Sequence, residues 1–320
     1  MRDGKVSIVM PAFNEEQALA PTLSAVQSRL EGAYEIIVVD DGSSDRTWSV
    51  ISEQARHDPR IRGVRLSRNF GKEAAIATGL QHARGDAAIV MDCDLQHPPE
   101  LLPEMIGIWR SGEADVVEAF KKESFSGRLM ARSFYLIFER LSGIDLIGAS
   151  DFKLLDRRVI DAYNQFRERN AFFRGLTAWV GFRRQAVQFE VPSVSRSSRW
   201  TRAKLVALAV NAILSFSPIP LFFVLGMAVL FFIGSLLLGA WALYLWGTGR
   251  AVSGFTTVIL LILISGSMIL AGLGVIGLYL SQIYDEVRGR PRALISEATW
   301  ETERAPAPPE AELQTTTLDR

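Results

Sequence analysis

The sequence predicts an α/β domain with a mostly parallel sheet, followed by two transmembrane helices. Short apolar segments alternate with helical patterns in the first third of the chain, which is typical of a parallel sheet covered by helices. Two long apolar stretches follow, at Leu221–Trp246 and Phe255–Ile283, and neither contains a charged residue. The short connection between them contains one arginine. Each is long enough to cross a bilayer core, which takes about 20 residues.

The first two strand–helix pairs are defined by apolar runs that end in polar residues. Val6 to Met10 is predicted as a buried strand, with a turn at Pro11 and a helix from about Glu15 capped by Asn14. Glu35 to Val39 is predicted as the next strand. A polar loop follows it, and the second helix is expected to be capped near Ser44 or Asp45.

The next two pairs repeat this pattern. The segment "IRGVRLSRNFGKEAAIATGLQHARG" predicts a short strand and a helix that ends near Gly85. The segment "DAAIVMDCDLQHPPELLP" predicts another strand, an acidic loop and a helix from about Pro99. The run "ADVVEAF" begins a fifth strand, so the sheet extends beyond four strands.

Charge and cysteine content restrict the function and the compartment. Lys+Arg and Asp+Glu both number 35, so the net charge is zero, which argues against a nucleic-acid-binding protein. Cys93 is the only cysteine, so no disulfide can form within the chain. The apolar run near the N-terminus is shorter than a signal peptide needs. We expect the N-terminal domain to be cytoplasmic.

The cations that flank the two apolar stretches predict their orientation. The short connection between the stretches carries a single arginine, whereas both outer flanks are basic. The positive-inside rule therefore predicts that both termini lie in the cytoplasm. We expect an integral protein of the cytoplasmic (inner) membrane. The alternative is a pair of buried core helices. The flanking cations are Arg196, Arg199, Arg202 and Lys204 on one side and Arg288, Arg290 and Arg292 on the other.

Polar residues end three of the predicted strands. The carboxyl ends of parallel strands meet at one edge of the sheet, where ligands bind in such folds. Several carboxylates at one edge need a positive partner, and hard oxygen ligands suit Mg²⁺ or Mn²⁺, which bridge to nucleotide diphosphates. The alternative for the Asp-x-Asp pair alone is a helix-capping loop. The residues are Pro11, Asn14 and Glu15, then Asp40 and Asp41, then Asp92 and Asp94.

The motifs "PAFNEE", "DDGSSDRT" and "DCDLQHPPE", in this order, resemble those of family 2 glycosyltransferases. The resemblance implies a GT-A fold, which is Rossmann-like with a mostly parallel sheet. The "QHPPE" extension and the two apolar stretches are similar to those of polyisoprenyl-phosphate glycosyltransferases, the group of dolichol-phosphate mannose synthase and bacterial GtrB-like enzymes. The resemblance covers roughly Lys5 to Arg292.

The resemblance implies a role for each site residue. Asp94 and Gln96 would be the metal ligands, with Asp92 reaching the ribose or the sugar as a catalytic residue. Asp151, in "GASDFKLLDRR", would be the catalytic carboxylate near the acceptor, and its alternative is a strand-start cap. The nucleotide pocket would be formed by Pro11, Ala12, Asn14, Glu15, Asp40, Asp41 and Asp92.

The basic segment "SRSSRWTRAKL" would bind the acceptor phosphate and the donor pyrophosphate. Alternatively, its cations serve only to orient the membrane helices. The residues in question are Arg196, Arg199, Arg202 and Lys204.

The implied reaction is transfer of a sugar from a nucleotide-diphospho-sugar, a UDP- or GDP-sugar, to a polyprenyl phosphate, undecaprenyl or dolichyl. The resemblance implies that transfer inverts the anomeric centre and takes place at the cytoplasmic face of the membrane. It also implies a homo-oligomer, a tetramer. One alternative is a processive polysaccharide synthase, but position 196 is Arg where the Gln-x-x-Arg-Trp motif of those enzymes would place Gln. Another is an inactive membrane sugar-binding subunit.

Four segments are therefore expected. Residues 1–200 form the glycosyltransferase domain and residues 201–217 an amphipathic helix at the membrane interface. Residues 218–290 form the transmembrane hairpin, and residues 291–320 a disordered cytoplasmic tail, because the tail has few large apolar residues.

Overall fold

The computed structural model describes residues 2–94, 96–121, 150–166, 168, 172–189, 219–249 and 254–300. The chain forms two compact units. The first comprises Met1–Gly112, Leu154–Arg157 and Ala293–Arg320, and the second comprises Glu113–Lys153 and Arg158–Arg292. The predicted domain over 1–200 therefore contains residues of both units, and the C-terminal segment belongs to the first unit.

The strands are β1 (Val6–Ala12), β2 (Tyr34–Asp40), β3 (Ile61–Leu66), β4 (Ala87–Val90), β5 (Val116–Lys121), β6 (Lys153–Asp156), β7 (Arg184–Phe189) and β8 (Ile295–Ala298). The helices are α1 (Leu19–Gln27), α2 (Thr47–His57), α3 (Lys72–His82), α4 (Leu102–Ser111), α5 (Arg157–Gln165), α6 (Phe173–Trp179), α7 (Ile219–Gly247) and α8 (Phe255–Val287). A 3₁₀ turn, Pro99–Leu101, precedes α4.

The first unit has the strand order β4–β1–β2–β3–β8. The first four strands are parallel to their neighbours, whereas β8 is antiparallel to β3. Every residue of β1 and β2 is buried, as expected for strands covered on both faces. Helix α3 packs closely on this sheet at Gly79, where a Cβ atom would lie 2.3 Å from Val9 Cγ1. This unit confirms the predicted mostly parallel α/β sheet.

A buried ion network lies where β1 and β2 begin. Glu35, which is 2% exposed, accepts hydrogen bonds from the Ser7 hydroxyl at 2.7 Å and the Arg84 backbone N–H at 2.7 Å. Its other oxygen lies 3.0 Å from Lys5 Nζ and 3.2 Å from Arg62 Nη1. Burial alone would raise the pKa of Glu35, but the hydrogen bonds from Ser7 and Arg84, together with Lys5, lower it below its ordinary value.

Replacing Glu35 by glutamine is expected to lower the free energy of unfolding by about 2 kcal/mol at neutral pH, because charged hydrogen bonds are lost from a buried site. A lowered folded-state pKa stabilises the fold above the unfolded pKa of about 4.3, and this contribution disappears as the pH falls through the folded value. Thermal unfolding of the detergent-solubilised chain should therefore show a difference at pH 7 that shrinks below pH 4 or so.

Glu31→Gln, at an exposed position, is the matched control and should have little effect at either pH. A Glu35→Gln defect that is equally large at acidic pH would contradict an electrostatic origin.

The second unit contains a parallel pair of strands and two short helices. Strands β5 and β7 pair from Val116 opposite Arg184. The backbone N–H of Ala119 in β5 donates to the carbonyl of Phe152 at 2.9 Å, which places the segment before β6 beside β5. Helices α5 and α6 meet through Tyr163 and Phe173, whose rings lie edge to face at 5.7 Å.

Helices α7 and α8 are the two predicted apolar helices. Each contains a window long and apolar enough to cross a membrane, Leu221–Ala242 at a mean hydropathy of 2.7 and Ile264–Val287 at 1.7. The shares of these windows that are buried by protein are 0% and 6%, unlike the core helices of a soluble protein. Gly272 of α8 approaches α7, since a Cβ there would lie 3.1 Å from Val224 Cγ1.

The start of α1 differs from the sequence prediction. Helix α1 begins at Leu19 rather than near Glu15, and Asn14 is not its cap. Asn14 adopts a left-handed backbone conformation with φ of 56°, and its side chain accepts a hydrogen bond from the Ser44 N–H instead. The Asn14 side chain therefore joins the loop after β1 to the loop after β2 and does not cap α1. Near α2 the prediction is closer, because Asp45 Oδ1 accepts from the N–H of Thr47, the first residue of the helix, at 2.9 Å.

The prediction of disorder from residue 291 onward is wrong for its first ten residues. Residues 291–300 are described and include β8, whose backbone pairs with β3. Composition alone missed this strand because its stability depends on an available sheet edge, not on large apolar residues of its own. The predicted interfacial helix at 201–217 and residues 301–320 lie outside the described part of the chain.

Candidate active site

The ends of β1, β2 and β4 meet at one edge of the sheet in the first unit. Ala12 at the end of β1 pairs with Asp40 at the end of β2, and Asp41 N donates to the Ala12 carbonyl at 2.9 Å. On the other side of β1, Met91 N donates to the Val9 carbonyl at 3.0 Å. The predicted convergence of the polar strand ends is therefore present for the residues that follow these three strands.

The loops after β1 and β2 are joined by side-chain hydrogen bonds. Asn14 N donates to Ser43 Oγ at 2.9 Å, and Asn14 Oδ1 accepts from Ser44 N at 2.9 Å. Glu15 N donates to the Thr47 hydroxyl at 2.9 Å. Pro11 and Ala12 belong to β1 itself and are buried. The "PAFNEE" and "DDGSSDRT" motifs thus form one continuous polar rim.

Asp40 is the buried carboxylate of this rim, with 0% exposure. Its Oδ1 accepts a hydrogen bond from Ser43 N at 3.0 Å. Its Oδ2 lies 3.3 Å from Arg65 Nε, and within the described residues that oxygen accepts no hydrogen bond. A buried carboxylate oxygen with unused acceptor capacity is suited to receive an N–H or O–H group from a ligand.

Asp41 instead supports a neighbouring loop. Its two oxygens accept from the backbone N–H groups of Phe70 at 2.7 Å and Gly71 at 2.9 Å. Burial, and to a smaller extent the nearby Asp40, raises the pKa of Asp41, against the lowering effect of the two hydrogen bonds. Gly42 follows with φ of 67°, and a Cβ there would lie 2.4 Å from the Arg68 carbonyl carbon, so only glycine fits beside this loop.

The loop held by Asp41 leads directly to Lys72, which reaches the acidic motif. Lys72 Nζ lies 2.6 Å from one oxygen of Asp92 and 2.9 Å from the other. The backbone N–H of Asp92 donates to His97 Nδ1 at 2.9 Å, so the buried imidazole shapes the acidic loop. Here, then, a lysine supplies part of the positive charge that a pair of close carboxylates needs.

Asp94 and Gln96 follow on the same loop. Asp94 is half-buried, Gln96 is exposed, and the Gln96 backbone N–H donates to Asp94 Oδ1 at 3.1 Å. Leu95 between them lies outside the described residues. Across the described ranges, no group of three or more His, Cys, Asp or Glu side chains is arranged to hold a metal ion. Two oxygen donors suit Mg²⁺ when substrate phosphates and water complete the coordination, so these residues fit such an ion.

Cys93, between the two aspartates, points away from them. It is 3% exposed, and its thiol donates to the Pro11 carbonyl at 3.3 Å. Burial and the neighbouring carboxylates raise the pKa of the thiol. Cys93 therefore packs the loop against β1 and is not a nucleophile.

Asp151 lies in the second unit and is bound by an arginine. Arg174 Nε lies 2.7 Å from Asp151 Oδ1, and Arg174 Nη2 lies 3.0 Å from Oδ2, a bidentate pair. Asp151 is 6% exposed, while the Arg174 side chain is 32% exposed. The remaining predicted acceptor-binding residues, Arg196, Arg199, Arg202 and Lys204, lie outside the described part of the chain.

Comparison with known proteins identifies the family. The family model described as glycosyl transferase family 2 matches residues 7–163, which include all three motifs. An uncharacterized glycosyltransferase of Synechocystis sp. is 38% identical over 318 residues, covering 94% of this chain and 98% of that protein. The chain belongs to glycosyl transferase family 2.

Two further similarities concern individual proteins. The SfII prophage-derived bactoprenol glucosyl transferase of Shigella flexneri is 36% identical over 313 residues, 92% of this chain and 98% of that protein. Glucosyl-3-phosphoglycerate synthase of Mycobacterium tuberculosis, crystallised with Mn²⁺, UDP and glucosyl-3-phosphoglycerate, is 21% identical over 66% of this chain and 77% of its own, with a TM-score of 0.48. That structural likeness is too weak to bear on function.

Sequence reasoning missed three cationic residues of this family 2 glycosyltransferase. Lys72 contacts Asp92, Arg65 contacts Asp40, and Arg174 contacts Asp151. Each lies far along the chain from the aspartate that it contacts, so no local motif includes both. A usable signal was present for Lys72, because "FGKE" follows a predicted strand, and strand ends of this sheet carry the site.

Proposed function

We propose that this family 2 glycosyltransferase transfers a sugar from a nucleotide-diphospho-sugar to a polyprenyl phosphate. One observation carries the proposal: the similarity to a bactoprenol glucosyl transferase extends over 98% of that protein, and so includes both apolar helices as well as the acidic motif. An enzyme whose acceptor is a membrane lipid needs both a water-facing donor site and a means of staying at the bilayer.

The donor is proposed to bind at the edge formed by β1, β2 and β4. Asp40 Oδ2, which is buried and accepts no hydrogen bond from the described residues, faces the nucleoside in this proposal, and the pocket is lined by Pro11, Ala12, Asn14 and Glu15. Asp41 acts by holding the loop that ends at Lys72. Lys72 is suited to bind a diphosphate oxygen, since its ammonium group lies against Asp92 at the same strand end.

Asp94 and the Gln96 side-chain oxygen, with Asp92 beside them, are proposed to hold Mg²⁺ or Mn²⁺. Such an ion, when bound, offsets the charge that develops on the departing diphosphate. In the reaction an oxygen of the lipid phosphate forms a bond to the anomeric carbon, and the bond from that carbon to the nucleoside diphosphate breaks. Attack opposite the leaving group inverts the anomeric centre. The lipid phosphate is already ionised at neutral pH, so Asp151 is proposed to orient the acceptor.

The test is a transfer assay with membranes that contain the chain, undecaprenyl phosphate, Mg²⁺ and radiolabelled UDP- or GDP-sugars. We expect a butanol-extractable labelled lipid with one of the donors, and none from membranes without the chain. Label found only in a long polymer would support the processive synthase instead. Binding of nucleoside diphosphate without transfer from any donor would support the sugar-binding subunit.

The orientation proposed for the two apolar helices is an antiparallel hairpin with both chain termini in the cytoplasm. The support is the basic character of both outer flanks against the single Arg250 of the connection. In a Cys93→Ser background, a membrane-impermeant thiol reagent added to intact cells should label Ser253→Cys and not Ser296→Cys. The opposite labelling pattern would invert the topology.

Arg199→Ala and Arg202→Ala are each expected to raise the Michaelis constant for polyprenyl phosphate, or lower the rate, about 10- to 100-fold. Each removes one charge-assisted hydrogen bond to a phosphate, worth roughly 1.5–3 kcal/mol. Binding of nucleoside diphosphate with Mg²⁺ should change much less, because the proposed donor pocket lies at the sheet edge. Loss of membrane insertion with normal acceptor kinetics per folded molecule would mean that the two arginines only orient the helices.

A further inference from the structure

Seven residues separate the end of the second apolar helix at Val287 from the start of β8 at Ile295, and β8 closes the edge of the sheet beside β3. Arg65 of β3 is the direct cross-strand partner of Glu297 in β8. Thr299 fixes the end of the strand, since its hydroxyl accepts from Gly63 N at 2.9 Å and its own N–H donates to the Gly63 carbonyl at 2.9 Å. The segment is therefore anchored to β3 independently of Glu297.

Glu297 binds the same guanidinium that lies against Asp40. Its Oε1 accepts from Arg65 Nη1 at 3.0 Å, and its Oε2 accepts from Trp48 Nε1 at 2.8 Å. Arg65 Nε lies 3.3 Å from Asp40 Oδ2. Arg65 Nη2 donates to the Ser43 carbonyl at 3.4 Å. One arginine thus connects an exposed glutamate of the C-terminal segment to the buried carboxylate at the end of β2.

Arg65 does not form a bidentate pair with Asp40. Arg65 is close enough to offset the charge of the buried carboxylate, but Asp40 Oδ2 accepts no hydrogen bond among the described residues. An arginine with no second carboxylate to bind would form a bidentate pair with Asp40, the preferred geometry of such pairs. Here Glu297 accepts from Nη1 and the Ser43 carbonyl accepts from Nη2, so the guanidinium is shared among three acceptors and only Nε lies near Asp40.

We infer that Glu297 is a positioning residue for donor binding: by sharing Arg65 with Asp40, it leaves Asp40 Oδ2 available to an N–H or O–H group of the donor nucleoside. The inference rests on the proposed function, which places the nucleoside at Asp40. Trp48 makes the arrangement rigid, because its indole N–H fixes the other oxygen of Glu297. The segment after the membrane helices then contributes to donor affinity without touching the donor.

The experiment measures binding of UDP and of GDP, each with Mg²⁺, to the full-length chain in detergent, together with Michaelis constants for donor and acceptor. Glu297→Ala is expected to weaken binding of the preferred nucleotide and raise the donor Michaelis constant about 5- to 20-fold. This is less than the roughly 10- to 100-fold loss of a charged hydrogen bond to the ligand itself, because Glu297 acts through Arg65. The rate at saturation and the acceptor constant should stay within about twofold, since a residue that acts only on donor binding changes neither. Glu297→Gln keeps one acceptor oxygen, which can serve Arg65 Nη1 but not Trp48 Nε1 as well, and should recover part of the affinity.

Thr299→Ala is the matched control, because it loosens the same strand without touching Arg65. It should change nucleotide binding less than twofold. If Glu297→Ala and Thr299→Ala weaken binding equally, or if Glu297→Ala has no effect while the parent chain binds nucleotide, the inference is wrong and the proposed function stands. If the parent chain binds neither UDP nor GDP, both fail.

Discussion

Replacing Asp94 by asparagine is expected to lower sugar transfer by about 10²–10³-fold while the protein remains folded, the range found when one preorganised electrostatic group is removed from an active site. Asp94 is half-buried on the loop after β4 and accepts only a local backbone hydrogen bond from Gln96 in the described structure, so the fold does not depend on its charge. An amide in its place is a weaker ligand for a hard divalent ion. Transfer of radiolabelled sugar to polyprenyl phosphate, measured across Mg²⁺ and Mn²⁺ concentrations, checks this.

Glu104→Gln is the matched control for this variant. It removes one negative charge at an exposed position of α4, away from the strand ends, and should leave transfer unchanged. Equal melting temperatures for Asp94→Asn and the parent chain would exclude unfolding as the cause. Near-normal turnover of Asp94→Asn with Mg²⁺ as the only divalent ion would show that Asp94 is not a metal ligand.

Replacing Lys153 by methionine is expected to destabilise the second unit by about 3–5 kcal/mol, the cost of removing one partner of a buried ion pair. Lys153 is fully buried and donates to Glu118 at 2.7 Å and to the Thr177 hydroxyl at 3.0 Å. Burial lowers the pKa of Lys153, while the adjacent Glu118 opposes that effect. Without the ammonium group, Glu118 at 4% exposure keeps an uncompensated charge. Chemical unfolding in detergent and limited proteolysis measure the loss.

The double variant Lys153→Met with Glu118→Gln should recover much of the lost stability, because the unpaired charge is gone. Arg184→Met, which removes a cation at an exposed position of β7, is the single-charge control and should have a small effect. A double variant that is as unstable as Lys153→Met alone would mean that packing of the lysine stem, rather than its charge, stabilises this unit.

The first unit could be predicted in large part from local sequence. The apolar runs that became β1, β2 and β4 are continuous because both faces of these strands are buried, and the polar residues at their ends identify the ligand-binding edge. Parallel pairing then brings Asp40 to the end of β1 without further information. The spacing of apolar residues and the residue types at strand ends are properties of short segments. Both can therefore be recognised in the sequence without knowledge of the fold.

The missed features all depend on partners distant in sequence. Asn14 looks like a helix cap, but it bonds to Ser44 thirty residues later. Lys153 looks like a surface residue in "DFKLL", yet it is buried because Glu118, on another strand, pairs with it. The polar strand β8 has no apolar pattern, and its order comes from β3, more than 200 residues earlier, as the Gly63–Thr299 bond shows. Local pattern carries no information on such pairs.

The pairing of β8 with β3 also determines when this protein can finish folding during synthesis. Trp48 and Glu297 are separated by 249 residues, so their contact forms only after both apolar helices have left the ribosome. Until then β3 is an open strand edge, the kind of surface on which chains aggregate. The sheet of the first unit is therefore completed only after both apolar helices have been synthesised. If translation stalled between α8 and β8, the nascent chain would contain both apolar helices, while the edge of β3 would still lack its partner strand.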